Sequence, residues 1–226
     1  MSVFGGPDIV TDGLVLHLDA ANRKSYPGSG STWYDLSDNT NDVTLYNGPT
    51  FSNDAGGCLS FDGTNDYGIN SSPNNFIFSG LNEFTAATWM KVTPNGYDFW
   101  FTSTDIKYRF GSNSAGTLYW DMGRHADKQY SYQLVSGQWY QVVFVGYIQT
   151  YIKTDVYING EYKTTITDTN ATSSLSSINT FHIGTGETNT YHFFKGSIAS
   201  VKIHRHKFTA DEIAQNYNAL KGRYGL

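Results

Sequence analysis

The chain has 226 residues, a net charge of -5 at neutral pH and only 15% charged residues, with the basic ones scattered. A nucleic-acid binder would carry a basic stripe, which argues against that partner, and no run of about 18 apolar residues is available for membrane insertion as a helix. Cys58 is the only cysteine, so no intrachain disulfide can form. None is needed, because a chain of this length buries roughly 70–75% of its unfolded surface. Within the apolar run Cys58-Leu59-Ser60-Phe61, Cys58 reads as a small buried hydrophobe. The 17 Tyr, 14 Phe and 5 Trp stand beside 23 Gly and abundant Asn, Ser and Thr. Aromatics favour pleated strands and Gly and Asn favour turns, so the composition reads all-β.

Residues 1–12 read as an irregular N-terminal arm. Val3, Phe4, Ile9 and Val10 are apolar, yet Gly5-Gly6-Pro7 prevents a regular helix or central strand. Such an arm needs cover, either from a neighbouring subunit, as an attachment element, or from its own domain. It has neither the basic nor the apolar region of a secretory signal, so synthesis in a cytoplasm is expected. Residues 13–19 follow as a strand. Residues 22–57 read mostly as loop, with Trp33 and Leu36 as anchors and Thr44-Leu45-Tyr46 as a short strand within it. The sequons at Asn70 and Asn170 read as chance matches in an Asn/Ser/Thr-rich chain.

The clearest strands come next. In residues 84–92, Phe84, Ala86, Met90 and Val92 share one face and Trp89 takes the other. Residues 139–145 are apolar on both faces, so this strand is expected to be central and covered twice. Asn159-Gly160 predicts a type I′ hairpin, because both residues tolerate positive φ. In the late strand 198–205, Ala199, Val201 and Ile203 are expected on one face, and Lys202 and His204 on the other. Thr209 and Glu212 form a capping box, with Phe208 and Ile213 as a hydrophobic staple. Ile213, Tyr217 and Leu220 then make a docking stripe, and Gly222 is expected to stop the helix. No repeat or linker interrupts the chain, so residues 13–226 read as one domain with a helix at about 209–221.

The order of these pieces resembles the laminin-G-like family of concanavalin-A-like sandwiches. The carrying residues are Leu59 to Tyr67, Phe84 to Lys91 around Trp89, Gly137-Gln138-Trp139-Tyr140, Val156 to Gly160, and Phe194 to Ile198 leading into Phe208 to Ile213. The resemblance covers about residues 13–220. It implies a two-sheet antiparallel β-sandwich of jelly-roll, concanavalin-A-like form with one short C-terminal helix. The opening Gly6-Pro7-x-Ile9-Val10-x-Asp12-Gly13-Leu14 and the closing 217–224 resemble a narrower subset, laminin-G-like proteins of tailed bacteriophages. That subset implies a virion location, other virion proteins as partners, a homo-oligomer, and a structural or host-attachment role. A lectin or adhesin that binds surface glycan is the alternative.

Glycoside hydrolases share the superfamily, and their chemistry needs two carboxyls flanking the bond. Sandwich-fold glucanases place theirs on one strand as Glu-x-Asp-x-Glu. The only glutamates here are Glu83, Glu161, Glu187 and Glu212, far apart in sequence. The chain is therefore read as non-enzymatic. Calcium seeks six to eight oxygens, and Asp62, Asn65 and Asp66 form the best candidate loop. The same segment serves as a plain turn, the favoured reading, so no cofactor is expected. The Asp38–Asp42 loop offers a weaker version. His204 and His206 are read as exposed strand histidines, with a two-ligand metal site as the lesser reading. Among the aromatics of residues 97–132, Trp100, Tyr119, Trp120, Tyr130 and Tyr132 are candidates for stacking on sugar or filling a protein contact; packing is the competing role.

Overall fold

A computed structural model describes residues 8–74, 82–103, 108–122, 128–169, 178–186, 188 and 190–226. The early strands are β1 (Leu14–Asp19), β2 (Thr32–Trp33), β3 (Val43–Tyr46), β4 (Thr50–Ser52), β5 (Cys58–Asp62) and β6 (Tyr67–Asn70). The middle strands are β7 (Glu83–Val92), β8 (Asp98–Ser103), β9 (Tyr108–Ser112), β10 (Thr117–Met122) and β11 (Lys128–Gln133). There follow β12 (Trp139–Ile148), β13 (Ile152–Ile158), β14 (Glu161–Asp168), β15 (Phe181–Ile183) and β16 (Lys195–His204). Helix α1 (Ala210–Leu220) runs into a 3-10 turn at Lys221–Tyr224.

Two eight-stranded antiparallel sheets form the sandwich with its one short C-terminal helix. The first sheet has the order β14-β13-β12-β7-β16-β5-β4, and β1 continues the β5 edge of β16. The second has the order β11-β10-β9-β8-β15-β6-β3-β2. The expected loop of residues 22–57 contains β3, where Thr44-Leu45-Tyr46 reads as a strand, and also β2 and β4, too short for periodicity to announce. Trp33 within it is fully buried.

Between the sheets, Phe144 of β12 reaches across to Phe110 (5.0 Å), Trp120 (5.2 Å) and Trp100 (6.3 Å) of the second sheet. A bulge at Phe99–Phe101 breaks the alternation of β8, so Trp100 and Phe101 both enter the core. Phe84, Ala86, Met90 and Val92 face this core and Trp89 faces away, as the pattern predicted.

The outer face of the first sheet is also covered along β7, β12 and β16. Val143, Val145 and Tyr157 pack against Phe208 and Ile213, while Trp89, Ala199 and Cys58 pack against Tyr224, Tyr217 and Leu220. Trp89 stacks on Tyr224 at 3.9 Å and on Tyr217 at 5.8 Å, nearly parallel to both. The capping box is complete, with Glu212 N–H donating to Thr209 Oγ1 and Thr209 N–H to Glu212 Oε2. Arg223 fastens the tail, donating to both Asp19 carboxylate oxygens (2.8 and 3.0 Å) and to the Gly57 carbonyl. The Asn159-Gly160 turn has φ of 52° and 77°. A Cβ at Gly160 would also lie 2.8 Å from the Tyr217 ring, so only glycine fits there.

Several expectations are corrected. Ala199 does not share a face with Val201 and Ile203: a bulge between Ile198 and Ser200 opposite β7 turns it toward Trp89 and Tyr224. Gly222 does not stop the helix; the chain tightens into the 3-10 turn and stops at Gly225, at φ 72°. His204 is not exposed but fully buried beneath α1. Asn70, whose sequon reads as a chance match, is buried with its amide donating to the Asp42 carbonyl, and Asn170 lies outside the described residues. The arm is not free at its C-terminal end. Val10 packs on the Phe208–Ile213 cluster and donates its N–H to Asn216 Oδ1 at 2.8 Å, and Gln215 donates to the Asp8 carbonyl. Val3 and Phe4 lie outside the described residues, while Ile9 is half-buried.

The Trp89 stack gives a stability test. Trp89→Ala removes the buried ring that holds Tyr217 and Tyr224 to the sheet, and is expected to cost about 3–5 kcal/mol in urea denaturation. A loss below about 1 kcal/mol, the level of an ordinary surface change, would show that the tail is not held there.

Candidate functional site

The second sheet carries no helix on its outer face among the described residues. Aromatic side chains cover it instead. Tyr119 on β10 and Phe99 on β8 point outward and lie 5.8 Å apart across Gly111 of β9. A Cβ at Gly111 would sit 2.2 Å from the Asp98 carbonyl oxygen, so glycine permits this close packing. Tyr97 lies edge-on to Tyr119 (5.1 Å) and to His192 (5.3 Å), and His192 meets Phe99 at 5.7 Å. The row continues through Phe193 to Tyr67 (6.5 Å), which stacks on Tyr46 at 4.9 Å. Tyr97, Tyr46 and Tyr191 are 42%, 41% and 40% exposed, so the strip is a wet surface and not a core.

Within the strip, Gly63, Asn95, Gly96, Tyr97, His192 and Phe193 enclose an open recess of about 220 Å³. Three segments build it: the β5–β6 turn, the β7–β8 loop and the chain entering β16. Asp98 ties two of them together, accepting from Asn95 N–H (3.2 Å) and Lys195 N–H (3.4 Å). Asn95 Nδ2 reaches the Gly63 carbonyl at 3.4 Å to tie in the third. Asp98 is fully buried, and burial raises its pKa to about 7 despite the two N–H donors and Lys195.

The turn itself is self-satisfied. Asp62 Oδ1 accepts the N–H groups of Thr64, Asn65 and Asp66, and Asp66 Oδ2 accepts Asp62 N–H. Slight burial would raise the Asp62 carboxyl, but those N–H donors outweigh it and hold the group low, while burial pushes Asp66 up. The calcium candidates Asp62, Asn65 and Asp66 therefore spend their geometry on a turn. In the Asp38–Asp42 loop, Asp42 Oδ1 accepts Asp35 N–H, and buried Asn41 donates to the Val15 and Asn74 carbonyls. Among the described residues no three His, Cys, Asp or Glu side chains are grouped to hold a metal. His206 meets Glu212 at 3.2 Å, and His204 Nδ1 meets the Asp12 carbonyl at 2.9 Å, so each imidazole is engaged elsewhere.

The structure divides the predicted aromatic candidates. Trp100 and Trp120 are fully buried between the sheets and cannot meet a ligand. Tyr119 is 5% exposed and forms the floor beneath Tyr97. Tyr130 and Tyr132 sit on the opposite face of the sheet, half-buried at its β11 flank, stacked on one another at 6.4 Å with Lys163 over Tyr132. Tyr97, Tyr46, Tyr67, His192 and Phe193 are not among the five aromatics that the sequence singles out. The Tyr191-His192-Phe193 run was the available signal, but nothing local places it against Tyr97.

This is a lectin-like concanavalin-A-like sandwich with an aromatic recess on the sheet that carries no outer helix among the described residues. The profile of the concanavalin A-like lectin/glucanases superfamily matches residues 61–214, and the chain belongs to that superfamily. No curated protein matches it in sequence. Among solved structures it is similar to the botulinum neurotoxin serotype D binding domain, with TM-score 0.69 and 17% identity over 92% of this chain and 52% of that one. The serotype D ligand binding domain in complex with N-acetylneuraminic acid gives 0.70, 16%, 92% and 51%. Trypanosoma rangeli sialidase in complex with sialic acid gives 0.71, 16%, 98% and 36%. The chain thus spans about a third to a half of these proteins, and the likeness is one of fold.

Asp98 makes the recess loop sensitive to pH. Its folded pKa lies above the ordinary value of 3.8, so the folded state holds this proton more tightly. That contribution to stability is full below about pH 4 and fades as pH rises to about 7. Asp98→Asn cannot ionise, so its stability relative to the parent is expected to improve between pH 4 and 8. Parallel pH–melting curves for the two would contradict this.

Proposed function

We propose that this chain is a non-enzymatic recognition domain of a tailed-bacteriophage virion, displayed in several copies, that holds host-surface glycan in the Tyr97 recess. The observation that carries the reading is the exposed Tyr97 ring, propped edge-on by Tyr119 and His192 beside an open polar recess. A pyranose has an apolar C–H face that stacks on such a ring and hydroxyls that bond to amides and carbonyls, which the Asn95 side chain and the Gly63 carbonyl, paired to each other only at 3.4 Å, present. Sugar-bound structures of the same fold support a glycan as the class of ligand. The resemblance at both chain ends to phage proteins supports the virion setting.

The carboxyls support a binding role over hydrolysis. Around the recess, Asp98 lies below the surface with its oxygens on main-chain N–H groups, and Asp62 and Asp66 are bound into their own turn. Glu212 is spent on the helix cap. No two described carboxyls flank the recess as a glycosidase would require.

On a glycan array, the intact chain is expected to bind a defined set of glycans. Tyr97→Ala should weaken that binding about tenfold or more, equivalent to about 1.4 kcal/mol, without lowering the melting temperature. Tyr132→Ala should leave it unchanged. Binding that survives Tyr97→Ala moves the site elsewhere, and hydrolysis of β-glucan abolished by replacing one Asp would make the chain an enzyme. Mass spectrometry of purified phage particles tests the setting: absence of the chain from particles would remove the virion role.

A further inference from the structure

Between α1 and the outer face of the first sheet lies a cavity of about 20 Å³, room for one or two water-sized occupants. Helix–sheet contacts are ordinarily apolar, but this one is not. Lys202, Gln141, His204, Asn216 and Ser200 line it beside Trp89 and aliphatic side chains. Lys202 is only 7% exposed, Gln141 3% and His204 0%. Among the described residues no acceptor bonds the Lys202 ammonium. Trp89 Nε1, Gln141 Oε1 and His204 Nε2 are likewise buried without hydrogen-bond partners.

The charge balance is one-sided. Asp19 acts on Lys202, but Arg223 already holds both of its carboxylate oxygens. His17, facing Lys202 from β1, and His204, two residues along β16, are neutral because burial lowers them to about 3 and about 4. Glu212 on α1 is taken by Thr209 and His206. Among the described residues no carboxylate lines the cavity. Burial, with Arg223 nearby and Asp19 opposing, lowers the Lys202 pKa to about 8, so the ammonium is still charged at neutral pH and lacks a direct acceptor that a small anion would supply.

The remaining donors suit an anion. Asn216 Oδ1 accepts from Val10, so its NH2 group remains for the cavity. The Trp89 indole contributes an unpartnered N–H. His204 Nδ1 bonds the Asp12 carbonyl and so carries the proton, which leaves Nε2 a lone pair. Lys202 has three N–H groups, enough for an ion and for the acceptors of His204 and Gln141. The volume excludes phosphate, sulfate or a carboxylate ligand.

We propose that this cavity is a binding site for one monatomic anion of chloride size, held by Lys202 with Trp89 and Asn216 as supporting donors. The ion joins β16 and β7 to α1, and through Asn216 to Val10, so it fastens both ends of the chain to the sheet. The site is independent of the glycan reading. Crystals grown in bromide are expected to show an anomalous peak in the cavity in contact with Lys202 Nζ; bromide-grown crystals without that peak would overturn the proposal. In solution, sodium chloride should raise the melting temperature over sodium gluconate of equal ionic strength by roughly 2–4 °C. Lys202→Met should melt at the same temperature in both salts. An equal chloride response in that variant would overturn the assignment to Lys202. If the variant does not fold, the bromide experiment decides alone.

Discussion

Trp89 lies flat between Tyr217 and Tyr224, and at this stack the C-terminal segment closes the outer face of the first sheet. β7 and β12 carry large apolar side chains on both faces, so the sheet cannot leave either face in water. Each such side chain is worth about 1.5–3 kcal/mol when buried, and several depend on the same short segment. An 11-residue helix has little stability alone. The dependence is therefore mutual: the sheet needs the helix as cover, and the helix exists because the sheet offers Trp89, Val143 and Val145. Arg223 locks the arrangement by bridging the tail to Asp19 and to the carbonyls before β5.

The asymmetry between the two sheets leaves the aromatic strip of the second at the surface. With the centre of its first sheet covered by α1, the sandwich presents the outer face of the second sheet without a helix over it among the described residues. There the side chains cannot all bury, so aromatics lie in a shingled strip from Tyr119 to Tyr46 with partly wet rings. Rigid strands fix the floor, and the loops that meet above it supply polar edges, a common division of labour between scaffold and site. Asp98, beneath the loops, holds the β7–β8 loop to the start of β16 and so sets the shape of the recess.

Local signals are legible where one residue pair or one period carries them. Asn159-Gly160 specifies its turn by backbone sterics, and Thr209 with Glu212 specifies its cap by reach. Bulges were invisible. The shifts at Phe99–Phe101 and Ile198–Ser200 each turn one residue to the other face, so Trp100 entered the core and Ala199 left it. The candidate site suffered most, because its walls come from residues 63, 95–97 and 192–193. Only the pairing of β16 with β5 and β7 brings those segments together.

The amino-acid sequence by itself determined the all-β class, the central double-faced strand, the capped C-terminal helix and the membership of residues 61–214 in a concanavalin-A-like superfamily. These rest on alternation, capping and turn chemistry, which act over a few residues. Tertiary structure alone decided which aromatics are core and which are surface. Trp120 and Tyr119 are neighbours on one strand, yet one is wedged against Phe144 and the other lies under Tyr97. It also decided that Lys202 and His204, polar alternates on a strand, are sealed beneath a helix. Alternation says that two side chains point apart, but only the packing of distant segments says what each of them meets.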